Sequence, residues 1–318
     1  MLIDAHAHIF PQIQGRIGAG PTVGLRCGRV AIGDEWIQAL PPVSERTVHT
    51  VEMLATHMAW AGVDKVVLLQ GPFYGACDSY VEAAVRQYPD RLLGAVYLDP
   101  WESDWRLKLE DLAAGNVFRA VKIEFSEATG LCGLHPEARL DDPALGGLWE
   151  WLERAGWTLT VDLGAVGSRS YQTAAVRSLA ERHSRLKIVV PHLGQPSPQL
   201  ETDADLRQLW LEQIDLGLLA NVWFDTSALP AYMSAQEYFP FPSAEQYLRI
   251  AIQHIGPRKI MWGSDIPGLL VYATYQQLAQ LAHMHTQFLA PVDRDRVLFE
   301  NALEVYWSEK PNDLRPVV

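Results

Sequence analysis

Two histidines stand two residues apart at the start of the chain, in Met1-Leu2-Ile3-Asp4-Ala5-His6-Ala7-His8. Side chains alternate faces along a strand, so Asp4, His6 and His8 are expected on one face, with Ile3, Ala5 and Ala7 on the other. Two imidazoles side by side at a strand end can grip one metal ion. An isolated His-X-His is weak evidence of a metal, because a lone histidine is more often a surface or core residue. More weight comes from the residues at the ends of other short apolar runs. Thr158-Leu159-Thr160-Val161-Asp162 puts Asp162 on the face of Thr158 and Thr160, and Ile188-Val189-Val190-Pro191 runs into His192. Trp223-Phe224 precedes Asp225-Thr226-Ser227, and Ile260-Met261-Trp262-Gly263-Ser264 precedes Asp265. An Asp after a strand is commonly a turn or cap residue, and Asp225, in Asp225-Thr226-Ser227, reads that way more readily than as a ligand. Acids and histidines recurring at several strand ends are harder to explain by capping, since charged groups are seldom buried unless paired or metal-bound. Within Ala120-Val121-Lys122-Ile123-Glu124-Phe125, Lys122 and Glu124 share a face. Lys122 can pair there with Glu124 or with Asp162.

These residues need a scaffold that gathers strand ends. Strands are expected at the start and at 64–69, 92–98, 117–125, 158–163, 187–192, 219–226 and 259–264. Helices are expected near 47–61, 77–88, 103–114, 143–155, 169–183, 203–216, 243–255 and 274–289, with a last one over 293–305. Glycines and prolines punctuate the ends, as at Gly62, Pro89, Gly115 and Gly156. Eight strand–helix units in about 250 residues or more fit a (β/α)8 barrel, whose chemistry sits at the C-terminal strand ends. A doubly wound sheet is the alternative, but no GxGxxG follows the first strand. No composition shift divides the chain, so one domain is expected over 1–318. The Gly- and Arg-rich stretch 10–45 reads as a long loop and a lid.

Composition narrows the partners. The chain has 318 residues, 48% hydrophobic, with a formal net charge of -12. That charge argues against a nucleic-acid or anionic-membrane surface, though local arginines can still hold a small anion. Cys27, Cys77 and Cys132 form no CxxC motif and no disulfide framework, which suits a reducing compartment. Neither a signal peptide nor an apolar run of about 18 residues is present, so a soluble cytoplasmic protein is expected.

Taken together, Ile3-Asp4-Ala5-His6-Ala7-His8, Val190-Pro191-His192-Leu193-Gly194, Val222-Trp223-Phe224-Asp225-Thr226-Ser227, Met261-Trp262-Gly263-Ser264-Asp265-Ile266-Pro267 and the closing Asn301-Ala302 resemble the amidohydrolase superfamily. The resemblance is to the amidohydrolase-related group that contains aminocarboxymuconate-semialdehyde decarboxylase, resorcylate-type decarboxylases and related lactonases. It spans nearly the whole chain, with 10–45 least familiar. It implies a distorted (β/α)8 barrel, a homodimer and one divalent metal, usually zinc. His6 and His8 would be ligands, Asp265 a ligand and base, and His192 would stand beside the substrate. The group usually has a histidine at the end of strand 5, where this chain has Asp162. Direct ligation by Asp162 would make a two-His, two-Asp site and bring manganese into competition with zinc. In some relatives a strand-4 lysine is carbamylated and bridges two metals; for Lys122 a structural or substrate-orienting role with one metal is expected.

Three readings of the function are open. The first is a metal-dependent hydrolase of a small, carboxylated substrate, with Arg16, Arg26 and Arg29 of the lid, and Lys122 and Glu124, near the substrate. The second is a non-oxidative decarboxylase of an aromatic or unsaturated acid. The third is a barrel whose chemistry has lapsed and which only binds a ligand.

Overall fold

A computed structural model describes residues 1–235 and 237–308. β1 (Ile3–Ala7) starts the chain. An insert comes next, made of β2 (Gln14–Ile17), β3 (Gly20–Gly24), β4 (Arg29–Ile32) and β5 (Glu35–Gln38). Then come β6 (Lys65–Leu68), β7 (Leu92–Tyr97), β8 (Ala120–Glu124) and β9 (Thr158–Asp162). β10 (Lys187–Val190), β11 (Val222–Asp225) and β12 (Ile260–Met261) complete the set. The eight strands β1-β6-β7-β8-β9-β10-β11-β12 lie side by side in that order, and every neighbouring pair is parallel. The ends meet where Ala5 N–H donates to Trp262 O (3.0 Å) and Asp265 N–H donates to His6 O (2.7 Å). This is the expected (β/α)8 barrel.

Helices return the chain between strands and cover the outward faces. Thr50 caps the helix Val51–Ala61 by accepting from Met53 N–H, and Gly62 ends it at φ +73°. The helix Tyr275–Met284 opens with a reciprocal cap between Thr274 and Gln277. Val121, Ile123, Leu159, Val161, Ile188, Val190 and Phe224 pack outward against this layer. Ile3, Ala5, Val67, Ala95, Ala120, Val189, Trp223 and Met261 fill the lower barrel, where Tyr306 closes the floor and bonds Thr160 (2.9 Å). The expected last helix is Pro291–Asp295 followed by wider turns, Arg296–Glu300 and Leu303–Trp307. Among the described residues no helix is long and apolar enough to cross a membrane.

Three expectations change. Stretch 10–45 is a four-stranded antiparallel sheet, not a loop. Its turns are glycine-containing pairs between short extended runs: Gly18-Ala19, Cys27-Gly28 and Gly33-Asp34. Cys27 and Gly28 both have positive φ (55° and 77°), the signature of a tight hairpin whose twist matches the strands. Strand 8 is also shorter than 259–264. The backbone leaves the sheet after Met261, and a Cβ on Gly263 would fall 3.0 Å from His6 Cβ. That close approach carries the next residues over β1.

The third change concerns Asp4. The register of β1 against β6 shifts between Asp4 and Ala7. Ile3 and Ala5 point inward below the shift, His6 and His8 above it, and Asp4 is turned away from the histidines. Its buried carboxylate accepts from His6 N–H (3.0 Å), Ser264 N–H (2.8 Å), Ser264 Oγ (2.5 Å) and Tyr275 O–H (2.8 Å). Burial raises its pKa to about 7, against those hydrogen bonds. Asp4 therefore ties β1 to the strand-8 loop and the helix behind it. Tyr275→Phe removes one donor from a buried carboxyl and is expected to destabilise the fold by about 1–3 kcal/mol, read as a lower denaturant midpoint.

Candidate active site

His6 and His8 enter the upper barrel with fixed ring orientations. His8 Nδ1–H donates to Leu69 O (2.7 Å), which turns Nε2 toward Asp265 Oδ1 (2.9 Å). His6 Nδ1 faces Asp225 Oδ2 (3.1 Å) and Ser227 Oγ (3.1 Å), which turns its Nε2 toward Asp265 Oδ1 (3.8 Å) and Lys122 Nζ (3.4 Å). Asp265 sits at φ +65° just beyond β12, on the short loop that crosses β1.

Burial lowers the pKa of both His6 and His8. With Nδ1–H committed to Leu69 O, His8 Nε2 faces a carboxylate oxygen 2.9 Å away, a contact that a shared proton or a bound cation satisfies. His6, His8 and Asp265 offer one donor atom each, all within 4.8 Å of one another. Two imidazole nitrogens, one carboxylate oxygen and an open side fit the donor set of a catalytic divalent metal. His6, His192 and Asp225 also lie close enough, but their atoms are committed. Asp225 Oδ1 accepts from His192 N–H (3.1 Å), Ser227 N–H (3.0 Å) and Ser227 Oγ. Asp225 thus holds His6 Nδ1 and the start of the strand-6 loop.

Asp162 goes elsewhere than expected. Its Oδ2 lies 3.1 Å from His192 Nε2, and its Oδ1 accepts from Gly164 N–H (2.8 Å) and Gln195 Nε2 (3.1 Å). It belongs to no three-donor cluster among the described residues, whereas His6, His8 and Asp265 form one. The reason is local: β9 and β10 are neighbours, and His192, at φ +60°, swings its ring onto the adjacent strand end. The two groups reinforce each other's charge. Burial alone would lower the His192 pKa, yet the Asp162 carboxylate raises it to about 9. Burial likewise opposes the charge of Asp162, but the imidazolium holds its carboxyl well below the usual range.

Lys122 and Glu124 form the expected pair, Nζ to Oε2 at 3.0 Å, in the barrel interior. Burial opposes the ammonium charge, but Glu124, Asp162 and Asp265 raise the Lys122 pKa above its ordinary value. Burial and Asp162 raise that of Glu124, whose Oε1 accepts from Ser126 Oγ (2.6 Å). Asp265 is held down to about 2: burial opposes its charge, and His8, His6 and His192 favour it.

Of the arginines of the insert, Arg26 pairs with Glu45 (2.5 Å) and Arg29 stacks 4.6 Å over Trp36. Arg16 lies exposed on β2. Two aromatic residues come into the site without having been singled out in the sequence. Tyr74 packs against His8 with ring centres 4.8 Å apart, and Tyr232 meets His192 edge-on at 6.1 Å. Burial pushes both phenols well above their ordinary pKa, which leaves them as neutral O–H donors. Tyr74 lies on the loop after β6 and Tyr232 in the short helix Leu229–Met233 after β11, segments too short for periodicity to mark them.

A model of the amidohydrolase family matches residues 3–307, and the chain belongs to that family. It is 24% identical over 319 residues to an L-fucono-1,5-lactonase of Burkholderia multivorans (strain ATCC 17616 / 249), covering 98% of each chain. The fold matches a zinc-bound crystal structure of an amidohydrolase from Burkholderia multivorans, with TM-score 0.71, 18% identity, and 96% and 99% of the two chains covered. It also matches a probable 2-pyrone-4,6-dicarboxylic acid hydrolase from Acinetobacter baumannii with citric acid bound (TM-score 0.66, 18% identity, 96% and 99% covered).

The His192–Asp162 pair sets a pH expectation. If turnover needs the imidazolium, it should fall as pH rises through about 9. Asp162→Asn removes the charge that raises the His192 pKa, so the alkaline limb should move to lower pH. A pH–rate profile of both proteins reads the shift; an unmoved limb would remove the pair from the reaction.

Proposed function

We propose that the chain hydrolyses a small lactone, a cyclic ester whose opening releases a carboxylate, at a divalent metal held by His6, His8 and Asp265. The observation that carries this reading is the convergence of three donors within 4.8 Å, with His8 Nε2 facing the Asp265 carboxylate. A divalent cation there would acidify a bound water and polarise an ester carbonyl. The remaining work falls to side chains. Asp265 Oδ1 faces the histidines, which leaves Oδ2 to take the proton of the attacking water. Lys122, held by Glu124, offers ammonium donors to the charge that develops on the carbonyl oxygen. His192 has Asp162 at Nε2 and Ser227 Oγ at Nδ1 (2.8 Å), so it acts as a fixed positive charge and not as a proton shuttle. Tyr74 and Tyr232 supply aromatic walls and O–H donors to a polar ring.

The substrate is anionic or becomes so on hydrolysis, and Lys122 and His192 are the cations that receive it. Arg16 on the insert remains the arginine of the three assigned to substrate. A two-nitrogen, one-oxygen donor set favours zinc, since the manganese reading rested on Asp162 as a fourth ligand. A lid role for residues 10–45, one domain over 1–318, a homodimer and a cytoplasmic location complete the proposal. The three free cysteines suit a reducing compartment.

The test is acid release from a panel of aldonolactones and pyrone carboxylates, followed by pH-stat. One acid equivalent per ester opened supports hydrolysis. Carbon dioxide from aromatic carboxylates, with no lactone opened, would favour the decarboxylase; tight binding with no turnover would favour a lapsed barrel.

A further inference from the structure

The insert carries positive charge that the catalytic centre does not use. Residues 10–46 hold four arginines and three acids, in a chain with 26 basic and 38 acidic residues. Three of those arginines, Arg26, Arg29 and Arg46, line one groove of about 900 Å3 at the base of the insert, with Gln12, Gly24 and Glu45. No residue of this groove belongs to the catalytic cluster.

The backbone forces the cations together. Arg26 and Arg46 face each other across an antiparallel bridge, where like charges destabilise the pairing. Arg29 is brought alongside by the tight turn at Cys27-Gly28, in which Arg29 N–H donates to Arg26 O (3.3 Å). The walls are tied by Cys27 N–H to Glu45 O (3.1 Å) and Thr47 Oγ1–H to Leu25 O (2.6 Å). Only Glu45 answers the charge, at Arg26. The Arg29 guanidinium is braced on the Trp36 ring, and Arg46 reaches only the Pro11 carbonyl (3.5 Å). Among the described residues neither has a carboxylate within ion-pair distance. The Arg29 guanidinium, braced on Trp36, and the exposed Arg46 guanidinium keep N–H forks unused beside one open groove, a receptor for bidentate oxyanions.

We propose that this groove binds a small molecule bearing two or more oxyanion groups, phosphate or carboxylate, at a site separate from the catalytic centre. Inorganic pyrophosphate and tricarballylate are the probes, titrated calorimetrically at low ionic strength, where screening is weak. Saturable binding of one equivalent is expected. Tighter pyrophosphate binding would assign a phosphoryl ligand, and tighter tricarballylate binding a carboxylate one. Arg29→Gln and Arg46→Gln, each checked for a wild-type melting curve, should weaken binding about tenfold or more. Asp265→Asn should leave it unchanged. Absence of saturable binding, or heat that persists in both arginine variants, overturns the proposal. So does loss of binding in Asp265→Asn, which would place the anion at the catalytic centre.

Discussion

Asp265→Asn is expected to lower lactone turnover by about three orders of magnitude while the protein stays folded. The carboxylate is half-buried against His8 and His6, and the amide is nearly the same shape, so packing changes little. Two functions are lost together: the anionic donor opposite the histidines and the acceptor for the water proton. The amide also presents either an N–H or a neutral oxygen to His8 Nε2, where a charged oxygen now stands at 2.9 Å. Steady-state kinetics read the loss as a fall in kcat and kcat/KM alike, because the group acts in the transition state. Turnover within about tenfold of wild type would remove Asp265 as the base.

His192→Ala is the second large effect, about two orders of magnitude or more. Deleting the ring removes a positive charge and also leaves Asp162 without its partner at 3.1 Å. An unpaired carboxylate then adds negative charge to an interior already holding Glu124 and Asp225. Charge developing on a carbonyl oxygen would be opposed where it had been favoured. The double variant His192→Ala with Asp162→Asn separates the contributions. Partial recovery over His192→Ala alone is expected if the stranded carboxylate is part of the damage. A double variant as impaired as the single one would show that the imidazole itself carries the effect.

Much of this site was legible before any fold was known. Parity along a strand put Lys122 with Glu124, and Asp162 with Thr158 and Thr160, on one face, and the interior bears this out. The same rule misplaced Asp4, because a register shift inside β1 reverses the parity and nothing local in Asp4-Ala5-His6 announces it. The partner of Asp162 was hidden for another reason. It depends on His192 adopting φ +60°, a backbone choice made by the loop after β10 and not by the side chains of the strand. The insert sheet was hidden by its glycines. They read as loop punctuation, although the pairs Gly18-Ala19, Cys27-Gly28 and Gly33-Asp34 are hairpin turns between runs of four or five residues. Tyr74 and Tyr232 required the tertiary fold, since only the path of the chain beyond β6 and β11 brings them onto His8 and His192.

The most direct test is metal content against lactone turnover during stepwise reconstitution, by elemental analysis of wild-type and His8→Ala protein stripped with chelator. Turnover should rise in proportion to bound zinc and level off at about one equivalent per chain, while His8→Ala should bind little metal and stay inactive. Full turnover at no bound metal, or full metal binding by His8→Ala, would contradict a hydrolytic centre built on His6, His8 and Asp265.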